Sequence, residues 1–353
     1  MSTSRRRLAA GVIAGSIVAA MGLLSTSAFA DDTAVTDVRL AHVPGPGAAD
    51  AGRSGAAAAP RADAEWTAIA DLPTGAQDTA AAWVDGRSYV LGGYSASQLH
   101  ATAAGYAFDT ASGKWASIAD LPAALMQARA AVVGGKIYVF GGWTDTDTVD
   151  TVYVYDPGAD AWSKASAMPE PRAASGIAVV DGAVYIVGGC TSADPAVCTP
   201  GTNVWRYDTS ADSWHKLGDY PVPFAHGACG GPGGGVVCAG GITDDNGKSL
   251  ASTYILNGDA WKAGADLPRP LWAMASTVAD GNLIVSNGIV NGSSVTNETL
   301  GFDPAAGQWT PLPAAGQLAY RGSMSCGLVK AGGRNGLTVA TAETLPGYTD
   351  CGS

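Results

Sequence analysis

Six tryptophans recur along this 353-residue chain at nearly constant spacing: Trp66, Trp115, Trp162, Trp214, Trp261 and Trp309, with gaps of 49, 47, 52, 47 and 48 residues. Each is followed by a short apolar–proline tag, and most units also carry a Gly-Gly and a Tyr-x-x-Asp. A unit of this length cannot bury its own faces and must stack on its neighbours, so the repeat specifies a radially repeated β-structure rather than one packed domain.

The unit from Ala123 to Pro169 shows how the pattern folds. Residues 129–133 read as a short strand ended by the two-residue hairpin turn Gly134-Gly135. Residues 137–140 form a second strand before Gly141-Gly142, residues 152–156 a third before Pro157-Gly158, and Trp162 opens a fourth. Runs such as Val184 to Val187 are apolar at every position, which requires both strand faces to be covered. The glycine pair permits positive φ and a close approach to a neighbour. Asp109, Asp156, Asp208 and Asp303, each six residues before a tryptophan, can cap a tight turn.

With these residues in register the chain resembles the kelch-repeat β-propellers. The matching positions are Gly92-Gly93, Gly141-Gly142, Gly188-Gly189 and Gly240-Gly241, with Tyr106, Tyr153, Trp205 and Tyr254 in the third strands. The pattern departs from the family in the fifth unit, where the pair is Asn287-Gly288. It departs again in the fourth, whose turn shortens to the segment 257–261. The last unit lacks an outer tryptophan strand, whereas Trp66 to Pro73 is an outer strand without a unit. The expected fold is therefore an all-β, six-bladed propeller of four-stranded blades, its last blade closed by the N-terminal strand; closure also removes exposed sheet edges. The tail from Arg321 to Gly327, continued from Glu343 to Tyr348, also resembles kelch segments attached to secreted bacterial subtilisin-like peptidases. That likeness implies an accessory or targeting role.

The propeller is expected over residues 64–353. Residues 1–30 read as a signal peptide, with Arg5, Arg6 and Arg7, an apolar stretch from Leu8 to Leu24, and a small-residue cleavage site at Ala28 to Ala30. Residues 31–63, rich in Ala, Gly and Pro, read as a flexible spacer. The expected location is extracellular, by the general secretory or the twin-arginine route. Without the leader, 17 Lys and Arg stand against 31 Asp and Glu, a net charge of −14. That balance argues against nucleic-acid partners and anionic membranes. No membrane span is expected in the mature chain, which is expected to be a monomer. All six cysteines follow the leader, so disulfides are expected. Local spacing favours Cys190 with Cys198, Cys229 with Cys238 across a glycine-rich turn, and Cys326 with Cys351.

The turns between first and second strands are minimal. The connections after the glycine pairs (94–103, 143–150, 190–202 and 242–251) are longer and differ between units. Variable loops on a rigid ring are where binding concentrates. Tyr94 and Trp143 follow glycine pairs and Trp272 lies on a connection to the same face, so these rings either stack on a sugar or anchor a peptide, or simply cover the rim of the ring. Arg129, Arg172 and Arg321 open or neighbour innermost strands, with His226 at the comparable place in the fourth blade. They could form a cationic cluster at the channel mouth, or bond carbonyls of the next blade. Asp145, Asp147 and Asp150, and the turn 244–247, offer oxygen ligands without a recognised calcium pattern.

No metal or cofactor is expected. There is no CxxC motif. A copper-oxidase likeness fails because His42 lies in the spacer and His100, His215 and His226 fall in different units. A specifier-type iron set fails because Glu65, Glu170, Glu298 and Glu343 begin no suitable run. Gly322 to Ser325 and His226-Gly227 match protease motifs only inside kelch strands. The expected function is a secreted binding module for a protein or an extracellular glycan. The alternative is a small-molecule enzyme resembling the six-bladed kelch sialate mutarotases, with Glu170 as its acid/base candidate.

Overall fold

The computed structural model describes residues 64–192, 197–244, 247–348 and 350–351. The expected signal peptide, the spacer with His42, and residues 245–246 of the acidic turn lie outside the described residues. Five four-stranded sheets follow one another along the chain, each pairing in sequence order from the innermost strand outward. The first is Ala80–Val84, Arg87–Leu91, Gly105–Asp109 and Lys114–Ile118. The second is Arg129–Val133, Lys136–Phe140, Val152–Asp156 and Ala161–Ala165. The third, fourth and fifth begin at Gly176–Val180, Ala228–Gly230 and Ala275–Ala279. In the sixth, Ser323–Ser325, Val329–Ala331 and Ala342–Thr344 are completed by Thr67–Ile69, with Thr67 opposite Thr344 and Ile69 opposite Ala342. The ring closes as the sequence requires.

The hairpin turns follow from their residues. Gly134 and Gly135 take φ of 59° and 73°, while Asp85-Gly86, Asp181-Gly182 and Asp280-Gly281 also take positive φ at both positions. These are the primed turns whose twist suits adjacent antiparallel strands. The repeat aspartates cap the outer turns as expected. Asp156 Oδ1 accepts from the amides of Gly158 at 3.0 Å and Ala159 at 3.2 Å, and Asp303 Oδ1 from Ala305 at 2.8 Å and Ala306 at 3.1 Å. Second-strand residues such as Ile137, Val139 and Val184 are wholly buried, because each sheet is covered on both faces.

The tryptophans join blades as well as filling space. Trp115, Trp162, Trp214 and Trp309 each lie against a third-strand ring of their own blade, as in Tyr155–Trp162 at 4.9 Å and Tyr207–Trp214 at 4.7 Å between centroids, whereas Trp261 lies against Tyr220. Each of five also donates its indole Nε1 to a carbonyl of the preceding blade. Trp115 reaches Ala70 at 2.7 Å, Trp162 reaches Ala119 at 2.9 Å, and Trp214 reaches Ser166 at 3.2 Å. Trp309 bonds Ala265 at 3.1 Å, and Trp66 bonds Pro313 at 2.9 Å across the closing seam. In the fourth blade, where the turn is shortened, the buried Trp261 Nε1 has no such partner. All three expected disulfides are present, with Cα–Cα distances of 4.8, 4.1 and 5.4 Å in chain order.

Candidate functional site

Because strands alternate in direction, the connections after the glycine pairs and the connections between blades emerge at the same end of the ring. There they pair with each other. Ala76–Gln77 with Tyr94–Ser95 and His100–Ala101 make a three-stranded ribbon above the first blade, and Leu271–Trp272 with Ile289–Val290 and Ser294–Val295 make another above the fifth. Single bridges do the same elsewhere: Met126 to Trp143, Ala173 to Cys190, Ala225 to Ile242 and Tyr320 to Arg334. These ribbons were absent from the sequence reading. The signal was the residue after each glycine pair, which is their shared register position.

Next to the ribbons, six backbone hydrogen bonds run around the axis from blade to blade. The amide of Asp78 donates to the carbonyl of Arg321, Arg321 to Ala273, Ala273 to His226, His226 to Ala174, Ala174 to Gln127, and Gln127 back to Asp78, all at 2.7–2.9 Å. The six residues share a left-handed φ between 52° and 57°, unusual for non-glycine residues and sustained here by the bonds that lock each peptide. Every one stands twelve residues after a repeat tryptophan, a periodicity the sequence carries but side-chain type conceals. The ring draws the inner strands together at the long-loop end.

Tyr94, Trp143 and Trp272 do come together on this face, in one apolar cluster with Met126, Cys190 and Ile242. Trp143 follows the rim-packing alternative and not the contact one: it is 6% exposed, and its Nε1 donates to Thr148 Oγ1. The glycine pair and its bridge to Met126 draw the indole inward, so it packs the face rather than presenting itself. Tyr94 and Trp272 are half-buried, and Trp272 Nε1 is buried without a partner. Thr148 Oγ1 in turn donates to Ser192 O at 2.7 Å, tying the second blade's loop to the disulfide-stapled loop of the third.

The four cationic candidates separate. Arg172 does not reach the channel. It is 1% exposed, donates Nη1 to Gly188 O at 2.5 Å and pairs Nη2 with Glu170 Oε2 at 3.0 Å, so it bonds its own blade. Glu170, engaged also by Asn203 Nδ2 at 2.6 Å, is tied up in that pair. Arg129, Arg321 and His226 do assemble, around a carboxylate that sequence reasoning missed. Arg321 Nη1 lies 3.1 Å from Asp78 Oδ2, which also accepts from Gln77 Nε2 at 3.1 Å. Arg129 Nε donates to Ser175 O at 2.6 Å, and burial pulls its guanidinium below the ordinary arginine value against the field of Asp78. Gln127 Oε1 and Arg321 Nε are buried in this cluster without partners.

Burial, with Arg321 and Arg129 nearby, pushes the His226 pKa well below the usual histidine value, so the folded ring stays neutral near pH 7. Its stabilising effect is therefore present above the unfolded value of about 6.5 and lost as pH falls through the depressed folded value. Over that interval this group should cost up to about 1.4 kcal/mol per pH unit. Denaturant unfolding at pH 7 and pH 5.5 is expected to show a smaller loss for His226→Gln than for the parent. Equal losses would place the acid sensitivity elsewhere.

The central channel opens at the opposite, short-turn end, where Asp181, Gly233 and Gly281 reach its mouth. It encloses about 320 Å³ and is lined by all six innermost strands, with Trp83, Val132, Ile177, Val179, Val278 and Met324 prominent. Cys190, Cys198 and His226 bring sulfur and nitrogen atoms within 4.8 Å of one another, but the two sulfurs are bonded together and offer no thiolate. Two carboxylates of the 145–150 loop are engaged by protein: Asp145 Oδ1 accepts from Ala101 N at 2.8 Å and Asp147 Oδ2 from Thr146 Oγ1 at 2.6 Å.

Residues 62–223 match the family model described as the KLHDC2/KLHL20/DRC7 Kelch-repeats domain. The chain is 31% identical over 148 residues to an F-box/kelch-repeat protein of Arabidopsis thaliana, covering 41% of this chain and 34% of that one. It is 28% identical over 104 residues to Kelch-like protein 15 of Mus musculus, covering 30% of this chain and 17% of the relative. The chain thus spans a third or less of the length of these relatives. Among solved structures it is similar to YjhT, with a TM-score of 0.66 at 18% identity, covering 78% of this chain and 95% of that chain.

Proposed function

Since this chain is a kelch-repeat β-propeller protein, we propose that it is a binding module that captures a partner protein through its long-loop face. One observation carries the reading. The exposed large apolar side chains among the described residues are Leu99 at 62%, Val197 at 40%, Leu318 at 46% and Leu337 at 80%, and all four stand on loops of that face. Leu99 and Val197 follow glycine pairs, Leu337 tips the hairpin of the sixth blade, and Leu318 lies on the connection into that blade. Aliphatic side chains gathered on one rigid surface favour protein over glycan, which would need exposed aromatic rings, and Trp143 is packed away. Extracellular action is part of the proposal. It draws on the leader-like residues 1–30 and on the absence of any free cysteine among the described residues. Among those residues no helix is long and apolar enough to cross a membrane.

A second reading, an epimerase-like enzyme for small polar substrates, draws on the Asp78–Arg321–Arg129–His226 cluster and its two unpartnered polar atoms. One experiment separates the two. Immobilised propeller is incubated with the extracellular protein fraction of its source cells and, separately, with a glycan array and reducing sugar acids. Partner proteins retained by the parent are expected to be lost from Leu99→Asp/Leu337→Asp, with circular dichroism unchanged. Retention unaffected by those changes sinks the loop-face reading. Sugar-acid mutarotation that vanishes in Arg321→Met while capture persists would install the second.

A further inference from the structure

At three aligned positions the closing blade breaks the repeat together. The second-strand residue two before the glycine pair is Val90, Val139, Ile186, Cys238 and Val285 in blades one to five, and Lys330 in blade six. Its third-strand partner is Tyr106, Tyr153, Trp205, Tyr254 and Leu300 in those blades, and Glu343 in the sixth. The first residue of the pair is glycine in every blade except the fifth, where Asn287 stands, facing the sixth. A Cβ built on those glycines would lie 2.2–2.4 Å from a carbonyl oxygen or its neighbouring atoms, so this position ordinarily admits no side chain. Asn287 alone places an amide there, at φ 64°.

These three residues meet in the interior. Lys330 is 4%, Glu343 3% and Asn287 2% exposed. Lys330 Nζ lies 2.5 Å from Glu343 Oε1 and donates to Asn287 Oδ1. Glu343 Oε2 accepts from Gly316 N at 2.9 Å, and Asn287 Nδ2 donates to Gln317 O at 2.5 Å and to Thr296 O at 3.3 Å. The Trp66 ring covers the ammonium at 5.1 Å from its centroid, brought there by the N-terminal strand. A buried charge pair gains little over apolar packing, so three coordinated departures from the repeat call for another reason. Lysine, carboxamide and carboxylic acid within contact in a water-poor site are the components of an amide-forming reaction.

We propose that Lys330 and Asn287 join in an intramolecular isopeptide bond that locks the fifth blade to the sixth, with Glu343 as the proton carrier. Glu343 takes a proton from the Lys330 ammonium, leaving a neutral amine and a neutral acid. The amine nitrogen attacks Asn287 Cγ while the acid hydrogen-bonds the carboxamide oxygen. Collapse of the tetrahedral species breaks the Cγ–Nδ2 bond as Glu343 gives its proton to the departing nitrogen and takes the second proton from the attacking nitrogen, ending as the neutral acid. One Nζ–Cγ amide forms, one ammonia leaves, and no oxidant or reductant is needed. Burial, which lowers the Lys330 pKa below that of a free lysine, favours the amine form the attack requires.

The test is peptide mass mapping of the folded, purified protein after reduction and digestion. The segments bearing Lys330 and Asn287 are expected as a single cross-linked peptide, lighter than their sum by one ammonia, with fragment ions placing the link on those side chains. Glu343→Gln should leave the two peptides separate. Asn287→Asp, which preserves shape, should form the same link with loss of water instead, so the proposal does not rest on a variant that fails to fold. Two unmodified peptides from wild-type protein after prolonged incubation at neutral pH would overturn it. A wild-type cross-link that loses water, joining Lys330 to Glu343, would overturn the assignment to Asn287.

Discussion

Deleting residues 65–73 is expected to abolish cooperative thermal unfolding and leave a chain that binds hydrophobic dyes and self-associates. These residues supply the outer strand of the sixth blade, whose partner Ala342–Thr344 would become an open edge. They also supply Leu72, which is 4% exposed, together with the half-buried Trp66 and Ile69. At about 1.5–3 kcal/mol for each fully buried large side chain, the lost burial approaches about 5 kcal/mol. Set against a total stability of roughly 5–15 kcal/mol, that is a third or more of what a domain holds. Two further bonds go with the strand: Trp66 Nε1 to Pro313 O across one seam, and Trp115 Nε1 to Ala70 O, where only the truncation of the tag removes the acceptor. Differential scanning calorimetry checks the expectation. An unchanged transition in the truncated chain would mean that the ring is not shut by this strand.

Gly188→Ala is expected to destabilise the fold by about 2–4 kcal/mol, seen as a lower denaturant midpoint with an unchanged slope. Gly188 has φ 56°, where a Cβ costs about 1 kcal/mol. The larger cost is steric. The added carbon would lie 2.2 Å from Phe224 O, 3.0 Å from Gly201 O and 3.1 Å from Phe224 Cδ1. Two of those atoms are backbone, and Phe224 is itself fully buried, so nothing nearby can swing aside. The carbonyl of Phe224 also accepts from Gly189 N at 2.7 Å, the bond that docks the third blade's glycine pair onto the connection to the fourth. Gly113→Ala is the control. At φ 68° with nothing within 4 Å of its Cβ, it should lose only the conformational part, about 1 kcal/mol. Equal losses at the two sites would show that the glycine pair serves turn geometry alone.

The candidate site was legible where function follows residue type and obscure where it follows backbone position. The three disulfides could be read from local spacing, because each joins segments that a hairpin or a tethered end brings together. Arg129, Arg321 and His226 were readable as a group near the axis, since their places in the repeat are close. Asp78 was not, because an aspartate beside a turn carries no mark of its partner 243 residues away. Arg172 stands on the connection into the third blade, two residues before the axial position that Ala174 holds, and that shift is enough to put its guanidinium in the interior of the blade and away from the axis. For Trp143 the sequence left two orientations open, because an aromatic after a glycine pair can point outward or fold back, and only its pairing with Met126 selects the second.

The sequence alone determined the number of blades, the strand order within each, the borrowed outer strand and the end of the ring that carries variable loops. All of these follow from residues recurring at a fixed period, and periodicity survives reading in one dimension. Tertiary structure alone decided which end of the channel is drawn together, because that is done by six main-chain amides on residues as unlike as Asp78, Ala174 and Arg321. It also decided that Lys330, Glu343 and Asn287 share one buried site. Main-chain hydrogen bonds are indifferent to side-chain identity, and contacts between blades depend on how neighbouring sheets pack, so neither leaves a linear trace strong enough to read in advance.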